Sequence, residues 1–356
     1  MVTISLCMIV KNEESVLGRI LAQMKEIADE IIIVDTGSAD KTKEIARQYT
    51  DKIYDYAWRQ DFAATRNFAC SKATMDYWMW LDADDVITEN EQQKLLKLKK
   101  LLNTSADVVM MRYLTGFDEN GDVTFSCYRE RLFKNHSGFL WEGRVHEAVT
   151  PRGNILYVPI AIEHRKINGG DPNRNLNIYQ EMLLAGEALA PRHRYYYGRE
   201  LFTHNQFSEA ADYFTSVIDD PTAWIENRIE ACLLLARCRE RLGQTSQRLE
   251  ALAKSFFFCA PRAEICCEIG RLLMEHGNYS AAIFWYHAAF DQKPSQTNHG
   301  FIETDSYDFL PAVQLCVCFD RLDNREQAIF WHQEAKKRKP NSPIIKYNDD
   351  YFSRTG

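Results

Sequence analysis

Apolar and polar positions divide the chain into two textures. From residue 3 to about 163, short β-branched and aromatic runs alternate with helical spacings, and each run ends in polar or acidic residues. Thr3–Val10, Glu30–Val34, Ile53–Tyr56 and Trp78–Leu81 read as strands. Helices are expected through Ile27, over Asp40–Tyr49, over Asp61–Ala73 and over Glu89–Leu102. Strand–helix alternation of this kind predicts a mostly parallel sheet buried on both faces. Shorter strands follow at Asp107–Tyr113, Val123–Phe125, Arg129–Phe133 and Ile155–Glu163.

After the breaker cluster Asn168-Gly169-Gly170-Asp171-Pro172 the periodicity becomes helical throughout. Tyr196–Val217, Asn227–Phe257, Glu264–Phe290 and Asp308–Lys337 each read as a helix pair. Small residues stand where paired helices must approach: Gly198 with Ala210, Ala236 with Ala251, Gly270 with Ala281 and Ala282. Pro261 and Pro294, 33 residues apart, close two pairs, matching tetratricopeptide-like repeats of about 34 residues. The expected division is an α/β domain over 1–167, a linker helix over 168–192 and an all-α solenoid over 193–356.

Composition narrows the classes. A net charge of -7 with no basic arm argues against nucleic-acid binding. No apolar run approaches the roughly 20 residues of a membrane span, and the N-terminus enters a strand without a signal-peptide pattern. Ten scattered cysteines lack metal or redox spacing and read as core thiols of a reducing compartment, so a cytoplasmic location is expected.

The candidate chemistry sits at strand ends. Tyr77–Leu81 stops in Asp82-Ala83-Asp84-Asp85, which sets hard oxygen ligands at a sheet's carboxyl edge, where a divalent cation and a diphosphate could meet. An earlier strand ends likewise at Asp35.

The ordered set Ser5–Glu14 (SLCMIVKNEE), Ile31–Ser38 (IIIVDTGS), Trp58-x-x-Asp61-Phe62-Ala63-x-x-Arg66-Asn67, Leu81–Asp85 (LDADD) and Trp141–Glu147 (WEGRVHE) resembles a family-two, GT-A-fold glycosyltransferase over about residues 1–165. An α/β domain of that kind followed by tetratricopeptide-like helices is similar in architecture to the sublancin-type peptide S-glycosyltransferases. The resemblance implies a UDP-sugar donor, Mn²⁺ or Mg²⁺, and inversion at the anomeric carbon. Its expected nucleotide-sugar site is Met8, Val10, Glu13, Asp35, Arg66, Asn67, Asp82 and Ala83, with Asp35 on the uracil and Glu13 on the ribose. Asp84, Asp82 and His164 are the expected metal set, and Trp141 and His146 the acceptor side. Glu147 is the expected base, with Glu142 and Asp85 as substitutes. The acceptor is expected to be a peptide or protein held by the repeats, or else a cell-envelope glycan, and a homodimer is compatible with them. A non-catalytic repeat scaffold is the main alternative. A nucleotidyltransferase is disfavoured, because Lys11-Asn12-Glu13-Glu14 stands where its Gly-rich basic loop belongs.

Overall fold

The computed structural model describes residues 1–102, 104–165, 171–293 and 300–355. The chain divides into two compact units, Met1–Thr115 with Cys127–Glu187, and Gly116–Ser126 with Ala188–Gly356. The expected α/β then all-α order is present. The expected boundary at 167/168 and Pro294 both lie outside the described residues. Of the expected linker helix over 168–192, residues 171–187 belong to the first unit and 188–192 to the second.

In the first unit the elements are β1 (Ile4–Val10), α1 (Leu17–Met24), β2 (Glu30–Asp35), α2 (Thr42–Ala46), β3 (Ile53–Asp55), α3 (Phe62–Cys70) and β4 (Tyr77–Trp80). There follow β5 (Asp85–Val86), α4 (Glu89–Leu101), β6 (Val108–Phe117), β7 (Val123–Lys134), β8 (Trp141–Glu142), β9 (Ala148–Val149), β10 (Ile155–His164) and α5 (Arg174–Leu184), of which the end of β6 from Gly116 and the start of β7 to Ser126 belong to the second unit. The main sheet runs β3-β2-β1-β4-β7-β6-β10-β5, and β8 and β9 form a separate pair. β1 is parallel to β2 and β4, β4 is antiparallel to β7, and β5 is antiparallel to β10.

The apolar runs are continuous because the sheet is covered on both sides. Leu6, Met8, Ile31, Ile33, Tyr77 and Met79 join one core, while Cys7, Ile32, Val34, Trp78 and Trp80 join the other. This is the two-residue alternation of a pleated strand. Val123–Phe125 and Arg129–Phe133, read as separate strands, form the single β7, because Ser126-Cys127-Tyr128 continues the extended backbone. In α5, Leu176, Ile178, Tyr179 and Met182 are buried, which makes it a packed helix.

The second unit contains helix pairs α6 (Pro191–Thr203) with α7 (Phe207–Ile218), α8 (Ile225–Arg241) with α9 (Thr245–Lys254), and α10 (Ala263–Glu275) with α11 (Tyr279–Phe290). After the short β11 (Ile302–Glu303) come α12 (Phe309–Arg321) with α13 (Arg325–Arg338), and then α14 (Pro343–Thr355). At the expected crossings, Gly198 and Gly270 face aromatic rings. A Cβ on Gly198 would lie 2.9 Å from Phe214, and one on Gly270 2.7 Å from Tyr286. Tyr286 is 1% exposed and cannot retreat. Gly270→Ala is therefore expected to destabilise the chain by about 1–3 kcal/mol, the usual range for an overpacked core. Gly18→Ala is the control in denaturant unfolding. Its Cβ would meet Ile45 at an ordinary 3.5 Å, so the stability should hold or rise by up to about 1 kcal/mol.

A pH dependence follows from Glu230 on α8. Burial first, and then Glu303 and Glu264, push its carboxyl up to about 7 against the pull of Arg199 and Arg237. An unfolded glutamate titrates near ~4.3, so the folded chain binds the extra proton between those values. The stability from this group is complete at the lower pH and is lost as pH rises through 7. The melting temperature should rise on going from pH 8 to pH 5.5, and by less in Glu230→Gln. Equal slopes for the two proteins would contradict this assignment.

Candidate active site

Parallel strands β1, β2 and β4 bring their carboxyl ends to one edge, with Val10 opposite Asp35 in the β1–β2 register. This edge is where ligands of open α/β sheets bind. Asp35 is fully buried. Its Oδ1 accepts from the Gly37 and Ser38 amides at 2.9 Å each, which fixes the turn that Gly37 makes possible at φ +101°. Its Oδ2 has no hydrogen-bond partner among the described residues. One oxygen thus builds the turn while the other keeps its full accepting capacity. Met8 and Val10 are buried beside it, and the Val10 carbonyl is held by Thr36.

Beyond β4 the chain turns through Asp82 and re-enters the sheet as β5. The antiparallel β5–β10 register sets Asp85 opposite His164. Asp84, Asp85 and His164 then offer ligand atoms that all lie within 4.8 Å of one another. His164 Nδ1 stands 3.3 Å from Asp84 Oδ1 and 3.5 Å from Asp85 Oδ1, without an aligned hydrogen bond to either. Two carboxylates and an imidazole gathered this closely are the donor types that suit a hard divalent cation. Burial alone would lower the imidazole pKa, yet the two carboxylates push it up to about 10. Main-chain contacts steady the corner, since the Asp84 carbonyl accepts from Arg165 N at 3.1 Å and Arg19 Nη2 at 3.3 Å. Glu13 shares the same field. Its carboxyl is pushed up to about 7 by burial and by Asp84, Asp82 and Asp40.

Asp82 does not join the three-ligand cluster. Its Oδ1 accepts from Arg66 Nη2 at 2.8 Å, and burial is outweighed by Arg66 and Arg131, which draw its pKa down to about 2. Arg66 lies on α3, which Asp61 caps by accepting from Ala64 N at 2.8 Å. The same guanidinium donates through Nε to Glu147 Oε1 at 2.6 Å and stacks between Trp80 and Trp141, 4.8 and 4.9 Å from their centroids. Arg66 therefore ties the turn after β4 to the turn that carries Glu147. Ala83 is buried between Asp82 and Asp84.

Asn67, expected beside the diphosphate, exchanges two hydrogen bonds with the Trp141 backbone at 2.9 Å each and so positions β8. Trp141, expected to face an acceptor, is 3% exposed and meets Trp80 edge-on at 5.0 Å, so the ring is core. His146 adopts φ 51° and lies parallel to the Tyr179 ring at 6.2 Å. Glu142 is exposed on β8, whereas the Glu147 side chain is 11% exposed.

Asp85 is wholly buried, not open to an acceptor. Arg131 Nη1 lies 3.1 Å from its Oδ2, the Tyr113 hydroxyl donates to Oδ1 at 2.9 Å, and the Asp82 amide donates to Oδ2 at 3.0 Å. Sequence reading missed Arg131, itself wholly buried between the Trp80 and Tyr113 rings at 3.8 and 4.2 Å. Its signal was parity, since Arg131 shares a strand face with buried Phe133.

Residues 5–149 match the family model described as glycosyl transferase family 2. Over 248 residues the chain is 29% identical to the SPbeta prophage-derived glycosyltransferase SunS of Bacillus subtilis (strain 168), covering 65% of this chain and 58% of that protein. It is 28% identical over 156 residues to the lipopolysaccharide core biosynthesis glycosyltransferase LpsC of Rhizobium meliloti (strain 1021), covering 40% of this chain and 56% of that one. It is 35% identical over 149 residues to the TPR repeat-containing protein Synpcc7942_0270 of Synechococcus elongatus, covering 42% and 36%. The chain thus spans less than two thirds of the length of these curated relatives. The α/β unit, with acidic residues at its strand ends, follows the order expected from the sequence, and its similarity to glycosyl transferase family 2 extends over residues 5–149.

Proposed function

We propose that this chain transfers a hexose or N-acetylhexosamine from a UDP-sugar to a peptide or protein acceptor, with inversion and with Mn²⁺ or Mg²⁺. The observation that carries the reading is the convergence of Asp84, Asp85 and His164 at the carboxyl edge of the sheet, a few residues from the Asp82–Arg66 pair. Asp84 and His164 are the residues that would hold the cation, with Asp85 locked beneath them. A bound divalent cation supplies Lewis-acid charge to a diphosphate. Asp35 uses its unengaged Oδ2 to accept from the base, and Glu13 takes the ribose hydroxyls. Arg66 holds Asp82 in place and contributes positive charge to the donor side.

Inversion needs one in-line attack on the anomeric carbon, with the acceptor's proton passing to a carboxylate as its oxygen or sulfur bonds to the sugar and UDP leaves. Glu147 is the candidate, because it stands in the turn joining β8 to β9 and pairs with the same Arg66 that holds Asp82. Glu142 is the exposed alternative. Asp85 fits a positioning role better than a base. No helix among the described residues is long and apolar enough to cross a membrane.

The test is UDP release from a panel of UDP-sugars in Mn²⁺, with water and then lysate fractions as acceptors. Glu147→Gln should bind UDP normally and lose about 10²–10³ of turnover, the usual contribution of a positioned base. Unchanged turnover would remove Glu147 from the role. A glycan acceptor is the second reading, favoured by the similarity to the lipopolysaccharide core enzyme LpsC. Mass spectrometry of the modified lysate fraction separates the two.

A further inference from the structure

In the second unit, the first helices of three successive pairs share an occupant that helix pairing does not explain, the extended stretch at residues 300–304. Phe301 lies against Tyr195 of α6, with centroids 6.5 Å apart and 17° between planes, and the Arg199 guanidinium stands 5.6 Å from its centroid. Glu303 Oε1 accepts from Arg237 Nη2 of α8 at 3.2 Å. Its backbone N–H donates to Glu264 Oε1 of α10, also at 3.2 Å. On the opposite edge, Ile302 and Glu303 pair antiparallel with Ser126 and Phe125 of β7. Phe125 also stacks on Phe301 at 5.5 Å, and Thr304 Oγ1 donates to the Val123 carbonyl at 2.6 Å.

These contacts are how proteins read an extended peptide. Main-chain pairing gives affinity, an aromatic clamp and a guanidinium–carboxylate pair give selectivity, and a solenoid's helices supply the platform. Phe301, Ile302 and Glu303 all stay partly exposed, with Ile302 packed against the edge of the helical core. We propose that the surface formed by α6, α8 and α10 is a peptide site selective for an aromatic residue followed two positions later by a carboxylate, and that the chain's own Phe301-Ile302-Glu303 occupies it as an internal ligand. The proposal does not depend on the transferase reading. An external peptide of this aromatic-x-acid class competes with a tethered rival whose effective concentration is of millimolar order, so the intact chain screens out weak ligands.

The test uses the full chain and a fluorescein-labelled Gly-Phe-Ile-Glu-Thr-Asp peptide, read by anisotropy. The Phe301→Ala, Glu303→Gln double variant should bind it at least tenfold more tightly than the unaltered chain. Adding Arg237→Ala, or replacing the peptide's Glu by Gln, should weaken that binding about tenfold, the 1.4 kcal/mol of one charge-assisted bond. Equal binding by unaltered and double-variant chains overturns the proposal. So does absence of binding to a double variant that still melts cooperatively. Should the double variant not fold, Glu303→Gln alone is read in the same way. If that chain also fails to fold, the segment is core and the proposal fails.

Discussion

Asp84→Ala is expected to reduce kcat/KM for sugar-nucleotide turnover about a thousandfold, roughly 4 kcal/mol of transition-state stabilisation, while leaving the unfolding midpoint nearly unchanged. The Asp84 side chain is 21% exposed and faces His164, and the corner itself is held by its carbonyl, which alanine keeps. The loss therefore falls on charge at the diphosphate, not on the fold. UDP release with saturating Mn²⁺ measures the first quantity and thermal unfolding the second. Turnover within tenfold of the unaltered protein would show that Asp84 is a turn residue.

Arg131→Met acts on stability instead. It leaves the Asp85 carboxylate buried with the Tyr113 hydroxyl, one amide and the His164 ring at 3.5 Å but without its guanidinium, and breaking a buried pair from one side costs about 3–5 kcal/mol. Methionine keeps much of the volume between the Trp80 and Tyr113 rings, so the loss reports mainly the stranded charge. Adding Asp85→Asn removes that charge and should recover part of the loss. The recovery is the coupling energy of a double-mutant cycle. Denaturant unfolding followed by tryptophan fluorescence checks both, and additive losses would mean that the pair is not coupled.

Most of the α/β unit was legible because its strands are long enough to show their burial, and the acidic residues that end β2 and β4 stand out against apolar runs. Two-residue strands such as β5, β8 and β9 have no period to detect, and β5 is the one that brings Asp85 to His164. Which carboxylate stands beside Asp84 and His164 therefore depended on tertiary pairing. Asp85 takes that place, while Arg66, 16 residues earlier, engages the Asp82 carboxylate. Trp141 shows the opposite failure, since an aromatic in a loop-like motif reads as a contact surface until Trp80 and Arg66 are seen to enclose it. In the helical unit the spacing gave the pairs, whereas β11 stayed hidden because two residues in an irregular stretch carry no pattern.

Calorimetric titration of UDP and UDP-sugars into the full chain, with Mn²⁺ and then with chelator, tests the acidic edge most directly. Binding is expected to require the cation and to vanish in Asp84→Ala. Equally tight binding in chelator, or its persistence in Asp84→Ala, would contradict it.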